Sequence, residues 1–219
     1  DITRDSMVRL REYVGVAVDE VEALVDADLV REDTTLPHLL YSVTAAGRDA
    51  VGEHYREGVD YGPGRGDLGE SSEHIMMVEL ATWLAEQRCA DPEHDAATVS
   101  PYHQLDDGRR LDVACLDAEG EIVVAIEAER INNDAPTAAP TDFDKMADCG
   151  AAEAIWVVSG LSAASKLTAA LHDPADGEPR IDRTYSPTSQ TQKYRIDEPG
   201  FTDIHTVRGL IKRREQDAE

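Results

Sequence analysis

Residues 110–130 read RLDVACLDAEGEIVVAIEAER. Two apolar runs, residues 111–117 and 121–130, flank the short polar segment Ala118-Glu119-Gly120. Runs of this length, rich in valine and isoleucine and joined by a loop that contains glycine, are typical of a β-hairpin. Acids interrupt both runs at positions that are otherwise apolar: Asp112 in the first, and Glu127 and Glu129 in the second.

Alternation along the second strand puts Glu127 and Glu129 on one face of the hairpin. The residue opposite Asp112 depends on the loop. A three-residue loop pairs Asp112 with Ile126, and a four-residue loop pairs it with Glu127, with Cβ atoms about 5 Å apart.

Two like charges across a sheet destabilise it unless a proton or a cation lies between them. A divalent ion held by carboxylate oxygens removes that penalty, and Mg²⁺ commonly takes one or two protein carboxylates. The alternative is an acidic sheet face in a chain that is acidic throughout. Because these acids fall within strands that are otherwise apolar, a metal-binding site is favoured.

The pattern around the hairpin predicts an α/β domain with a mixed sheet. Helices and strands alternate along it, and residues 91–110 are interpreted as irregular and acidic. The predicted elements are a long helix at 70–88, the hairpin, a loop at 131–141, a short helix at 142–150, a buried strand at 154–160, a helix at 161–172, an ambiguous tail at 180–197 with a strand as one interpretation, and a polar helix at 202–219.

Residues 1–56 form a separate pattern in the order helix, helix, strand, turn, strand, helix. This order is that of a winged helix, and the sequence DLVRED…LLYSVTAAGRDAV resembles that of archaeal winged-helix domains. The predicted elements are helices at 7–13 and 16–25, strands at 29–31 and 39–43 around a turn at 33–37, and a last helix, capped by Thr44, to about Arg56. The usual first helix would lie around or before residue 1, which suggests a truncated start. Residues 57–69, rich in glycine, proline and aspartate, are interpreted as a linker.

The composition is strongly acidic. The 219 residues include 45 acids against 21 lysines and arginines, for a formal net charge of −24, and only four of the basic residues are lysines. The 41% of hydrophobic residues in periodic runs argue against a disordered acidic chain. Acid spread along the whole chain matches halophilic archaeal proteins, whose surfaces are adapted to high salt. Bulk charge therefore does not exclude DNA as a partner, although phosphate contacts then require local basic groups.

Other features narrow the class further. The three cysteines are far apart and have no CxxC pairing, so they indicate neither a disulfide framework nor a zinc site. No apolar stretch approaches the roughly 20 residues of a membrane span, and we expect a cytoplasmic protein without a membrane partner.

The spacing of Asp112 and the Glu127-Ala-Glu129 triplet resembles the PD-(D/E)xK nuclease superfamily in its E-x-E variant. The stretch from about residue 66 to 172 looks like the nuclease-like domains of archaeal mobile-element and conjugation proteins. The resemblance implies a restriction-endonuclease-like fold over residues 70–219. It also implies a further acid on the preceding helix, for which Glu79 is the best match.

Two departures from the superfamily pattern stand out. Leu111, not proline, precedes Asp112, and Glu129 occupies the position that usually holds lysine. A lysine can migrate to the following helix in this superfamily, and Lys145 is in place to do so; a helix-surface lysine is the alternative.

The resemblance implies metal-dependent hydrolysis of DNA phosphodiester bonds. Asp112 and Glu127 would hold Mg²⁺ or Mn²⁺, Glu129 would orient or deprotonate a water molecule, Lys145 would stabilise developing charge and Glu79 would complete the outer shell. An ATPase or other protein partner and a homodimer are compatible with it. The alternatives are an inactive DNA-binding or adaptor protein of the same fold and, on residues 1–56 alone, a transcriptional regulator.

Overall fold

The structure is a computed structural model that describes residues 17–34, 40–52, 72–132 and 134–217. The chain divides into two compact units, residues 1–79 and 80–219. In chain order the helices and strands are α1 (Val18–Asp26), β1 (Val30–Thr34), β2 (Leu40–Val43), α2 (Ala45–Ala50), α3 (Ser72–Ala90), β3 (Thr98–Gln104), β4 (Arg110–Leu116), β5 (Ile122–Glu129), α4 (Ala135–Asp148), β6 (Glu153–Val158), α5 (Leu161–His172), β7 (Asp203–Thr206) and α6 (Val207–Asp217). None of the helices in the described ranges is long and apolar enough to cross a membrane.

The first unit contains an antiparallel ladder between β1 and β2, with Val30 opposite Val43. The hydroxyl oxygen of Thr44 accepts a hydrogen bond from the Gly47 amide at 3.0 Å, which confirms the predicted cap. Helix α2 ends at Ala50, earlier than predicted, and Gly52 follows with a positive φ of 74° that suits a helix end. The predicted helix at 7–13 and the linker at 57–69 lie outside the described residues, and the winged helix stays a prediction.

The second unit contains a five-stranded mixed sheet in the order β3-β4-β5-β6-β7. Strands β3, β4 and β5 pair antiparallel, whereas β5, β6 and β7 pair parallel. Helices α4 and α5 pack on the face that carries Ala125 and Trp156. On β4, Cys115 donates a weak hydrogen bond to the Ala85 carbonyl of α3. The predicted α/β class with a mixed sheet flanked by helices is therefore confirmed.

The two edge strands were not predicted. Strand β3 lies within the segment interpreted as irregular, and β7 lies at the start of the segment interpreted as a helix. Each pairs on one side only, so neither needs the continuous apolar run that marks a strand buried on both faces. Pro101 within β3 is tolerated because an edge strand has amides that need no partner strand.

Helix α4 begins at Ala135, where a loop was predicted up to residue 141. Pro136 is compatible with a first helical turn, but Pro140 removes the amide that would bond the Pro136 carbonyl. The Ala175 amide, from the segment after α5, donates to that carbonyl instead at 2.9 Å. A tertiary contact thus allows a helix that the local sequence disfavours.

The segment at 180–197 contains no strand; its only regular element is a short 3₁₀ turn, Thr191–Lys193. The rings of Tyr185 and Tyr194 stack with centroids 3.7 Å apart. The Tyr185 hydroxyl also accepts a hydrogen bond from the Arg195 amide at 2.6 Å. These contacts order the segment itself, and the Ser165 hydroxyl of α5, which donates to the Tyr185 carbonyl at 2.5 Å, ties it to the domain.

Close packing at Gly200 fixes the central tryptophan of the core. The Trp156 indole donates a hydrogen bond to the Gly200 carbonyl at 2.9 Å, and Trp156 is fully buried. A Cβ added to Gly200 would overlap the Phe143 carbonyl oxygen and would lie 2.7 Å from the ring carbon Cγ of Phe143. Helix α4 can approach this loop only because residue 200 lacks a side chain.

We expect Gly200→Ala to lower the free energy of unfolding by about 1–3 kcal/mol, because the added methyl group overpacks the contact with Phe143. Denaturant titration at constant salt measures the change. Gly160→Ala is the control, since nothing lies within 4 Å of its Cβ position; a weaker helix cap should cost it less than about 1 kcal/mol. Equal effects of the two substitutions would contradict this account.

Candidate functional site

At one end of the β4–β5 ladder, a side chain replaces the backbone as hydrogen-bond acceptor. The last backbone pair towards that end is Val113 with Ile126. Beyond it, the carboxylate of Asp112 accepts a hydrogen bond from the Ala128 amide at 2.8 Å. Continuing the register by one residue sets Asp112 across from Glu127, the second of the two predicted arrangements. The half-buried Asp112 is thus held by β5 itself.

Glu127 is a buried carboxylate on the middle strand of the sheet. It pairs with Trp156 of β6 and is only 4% exposed. Its Oε1 atom lies 2.8 Å from the Nζ atom of Lys145, which is itself 8% exposed. Lys145 on α4 therefore projects its ammonium group to Glu127 and is not a helix-surface lysine.

Asp142 holds the other side of the ammonium group. Its Oδ1 atom accepts a hydrogen bond from Lys145 Nζ at 2.8 Å, one helical turn away on α4. Asp142 is not among the site residues predicted from the sequence. The available signal was the three-residue spacing from Lys145, which places both side chains on one helix face.

The contact between Lys145 and Glu127 is close but poorly directed. At 2.8 Å it is an ion pair, yet Glu127 Oε1 has no hydrogen-bond partner of proper geometry among the described residues.

The side chains of Asp112, Glu127, Asp142 and Lys145 carry more acidic than basic groups. Burial, and then the charge of Asp112, raise the pKa of Glu127 well above its usual range, and Lys145 offsets only part of this effect. Burial acts to lower the pKa of Lys145, but the charges of Glu127 and Asp142 outweigh it and raise that pKa. Lys145 thus lies between two carboxyl groups, and Asp112 adds a third negative charge beside Glu127, which a proton or a cation would offset.

Two further residues, Glu129 and Glu79, were predicted for the site. Glu129 is half-buried two residues beyond Glu127 on β5, opposite Val158 of β6. Glu79 lies on α3 in the first unit and is half-buried. Within the described ranges, no three or more His, Cys, Asp or Glu side chains are grouped so that they could hold a metal ion. Asp112, Glu127 and Glu129 therefore stay a prediction as the residues of one active site.

A strained residue lies beside Asp112. Tyr102 of β3 has a positive φ of 51°, a region that costs a bulky residue about 1–3 kcal/mol. The pairs on either side, Pro101 with Val113 and His103 with Leu111, share one register, so Tyr102 falls at the position across from Asp112. Strain of this kind clusters at functional sites.

No protein-family model, curated protein or solved structure matches this chain. Membership of the PD-(D/E)xK superfamily therefore stays a prediction from the residues. The geometry itself provides a buried carboxylate, a second carboxylate on the adjacent strand and an ammonium group, which together suit the binding of a cation and of an anionic substrate.

We expect the stability of the metal-free protein relative to Glu127→Gln to fall as the pH rises from about 5 to about 9. A raised pKa means that the folded state binds the Glu127 proton more tightly than the unfolded state. The resulting stabilisation is fully present below the usual carboxyl value and is lost as the pH rises through the folded pKa. Lys145 adds no slope here, because its raised pKa moves its titration to alkaline pH.

Denaturant titrations of both proteins in the presence of a chelator measure this difference at each pH. Any constant effect of the glutamine side chain cancels in the slope. A difference that is flat, or that grows with pH, would show that Glu127 is ionised throughout and that Lys145 fully compensates its burial.

Proposed function

We propose that this protein hydrolyses phosphodiester bonds of DNA in a metal-dependent reaction, with a restriction-endonuclease-like arrangement of the second unit. The observation that carries the proposal is the ion pair between Lys145 and the buried Glu127, beside Asp112 on the adjacent strand. Three different elements, β4, β5 and α4, deliver these groups to one place. A solvated acidic face would not need a buried lysine.

The donor set fits a hard divalent cation. Burial and the charge of Asp112 raise the pKa of Glu127 even beside Lys145, which is the state of a carboxyl pair that a further cation would stabilise in its ionised form. Asp112 and Glu127 would hold Mg²⁺ or Mn²⁺, since these ions accept one or two protein carboxylates and keep several waters. When bound, such an ion polarises a phosphate and lowers the pKa of a water molecule.

The remaining side chains have separate roles in the proposal. Lys145 stabilises negative charge that develops on the phosphate oxygens, and Asp142 keeps its ammonium group in position. Glu129 orients or deprotonates the attacking water.

A second candidate is an inactive DNA-binding or adaptor protein of the same fold. It is favoured by one observation: two carboxylates, Glu127 and Asp142, already hold Lys145 in a buried network. Such a network can serve structure alone. Glu129, at the position where the superfamily usually has lysine, points the same way.

We expect the protein to nick supercoiled plasmid in Mg²⁺ or Mn²⁺ at high salt, and Asp112→Asn and Lys145→Met to slow nicking about 100-fold or more. Asparagine keeps an oxygen that can accept the hydrogen bond from the Ala128 amide, but it removes the negative charge. Gel analysis of initial rates gives the comparison. Glu121→Gln is the matched control, because Glu121 is an exposed carboxylate of the same hairpin.

The outcomes separate the two candidates. Binding of DNA without metal-dependent nicking by the wild-type protein would favour the inactive candidate. Nicking that persists unchanged in Asp112→Asn would show that the proposed site does not perform the reaction.

A further inference from the structure

Helix α6 presents a row of basic side chains to solvent. Arg208, Lys212 and Arg213 are exposed, whereas Val207 and Leu210 of the same helix are buried. At about 100° per residue, the three basic side chains fall within an arc of about 140°, on the side of the helix opposite the buried pair. Arg208, Lys212 and Arg213 are called the basic stripe below.

The basic stripe is not used in ion pairs within the molecule. Among the residues that the structure describes, no carboxylate forms an ion pair with Arg208, Lys212 or Arg213, although the chain has 45 acidic residues against 21 basic ones. Arg109 and Arg180, in contrast, each lie 2.6 Å from a carboxylate oxygen. The positive charge of the stripe is therefore available to a partner outside the chain.

Helix stability accounts for only one end of the stripe. The dipole of a helix stabilises cations near its last turn, and Arg213 lies towards that end of α6. Arg208 lies in the first turn, where the Thr206 hydroxyl oxygen accepts a hydrogen bond from the Gly209 amide at 3.2 Å. A positive charge there opposes the dipole. An exposed side chain at a position that weakens its own helix indicates a role in binding.

The stripe begins at the same edge of the sheet as the candidate site. Glu129, Val158 and Thr206 lie side by side in the register of β5, β6 and β7, and α6 follows Thr206 directly. With strands about 4.8 Å apart and residues about 3.3 Å apart along them, the Cα atom of Arg208 lies within about 20 Å of that of Glu127. Phosphates of one DNA strand follow at about 3.4 Å along the helix axis, so this distance spans about six nucleotides or fewer.

We propose that the basic stripe of α6 binds the phosphate backbone of the DNA duplex to one side of the bond that is cut; this inference rests on the proposed function. Each exposed arginine or lysine of the stripe neutralises one phosphate. At molar salt, screening shortens the reach of a charge to about 3 Å. The net charge of −24 then has little effect at a distance, and direct contacts decide the affinity. Such contacts position a duplex without reading its sequence.

Binding of a fluorescein-labelled DNA duplex, measured by anisotropy with EDTA over a series of KCl concentrations, tests the proposal. We expect the triple variant Arg208→Gln, Lys212→Gln, Arg213→Gln to reduce the slope of log K against log [KCl] by about two to three, since each lost phosphate contact removes about 0.9. Arg208→Gln alone should reduce the slope by about one. Lys193→Gln is the matched control, because Lys193 is an exposed lysine outside α6; it should leave the slope unchanged.

Thermal unfolding monitored by circular dichroism in the same buffers separates binding from stability. Arg208→Gln should leave the thermal midpoint unchanged or raise it, because it removes an unfavourable charge from the first turn. A midpoint lowered by more than about 3 °C would show that Arg208 serves the stability of α6 instead. If the triple variant does not fold, the salt slope of Arg208→Gln decides the outcome.

Three binding results would overturn the inference: an unchanged slope in the triple variant, an equal loss in Lys193→Gln, or wild-type protein that does not bind the duplex. The last result would point to an acidic protein surface as the partner of the stripe. Because the assay contains EDTA, it does not depend on cleavage. Stripe-dependent binding without nicking by the wild type would support the stripe and remove the proposed hydrolysis, whereas nicking together with an unchanged slope in the triple variant would do the reverse.

Discussion

The buried ion pair between Glu127 and Lys145 is the interaction on which the arrangement of this domain depends. A carboxylate on the middle strand of a sheet would be strongly destabilising without a partner, and a buried ammonium group would be equally so. The contact reduces both penalties, and it forms only where α4 packs so that Lys145 can reach β5. Asp142 then fixes the lysine from its own helix. The position of α4 is consequently coupled to the buried carboxyl group on β5.

Several departures from regular strand geometry occur close together at one end of β3, β4 and β5. The ladder stops at Val113, a side chain replaces a backbone acceptor for Ala128, and Tyr102 adopts a left-handed conformation across from Asp112. Elsewhere in these strands the pairing is largely regular; the other irregularity is a register shift at Leu116, near the hairpin turn. Violations that are concentrated in this way mark a region shaped by something other than stability.

The sequence allowed the central part of the fold to be predicted, because strands β5 and β6 and helix α5 are continuous apolar or amphipathic runs. The neighbourhood of Asp112 and Glu127 followed from alternation and hairpin register alone. The edge strands β3 and β7 were missed because one-sided pairing leaves no apolar signature. A place for Lys145 at the site was expected only through the family resemblance, and its contact with Glu127 was not predicted. The conformation of Tyr102 was not predicted either, since no residue pattern encodes a left-handed tyrosine.

The start of α4 was missed for a reason with a wider consequence. The Pro136 carbonyl is satisfied by Ala175, and Asp144 of the same helix receives a two-bonded contact from Arg180. The helix that carries Lys145 is thus completed by chain that lies more than thirty residues later, beyond β6 and α5. Contacts of such separation form late, because a long loop must close before they contribute. On a ribosome, the hairpin with Asp112 and Glu127 would be synthesised before α4 and its Lys145. The contacts that complete α4 would form only after the segment around residue 180 had been synthesised.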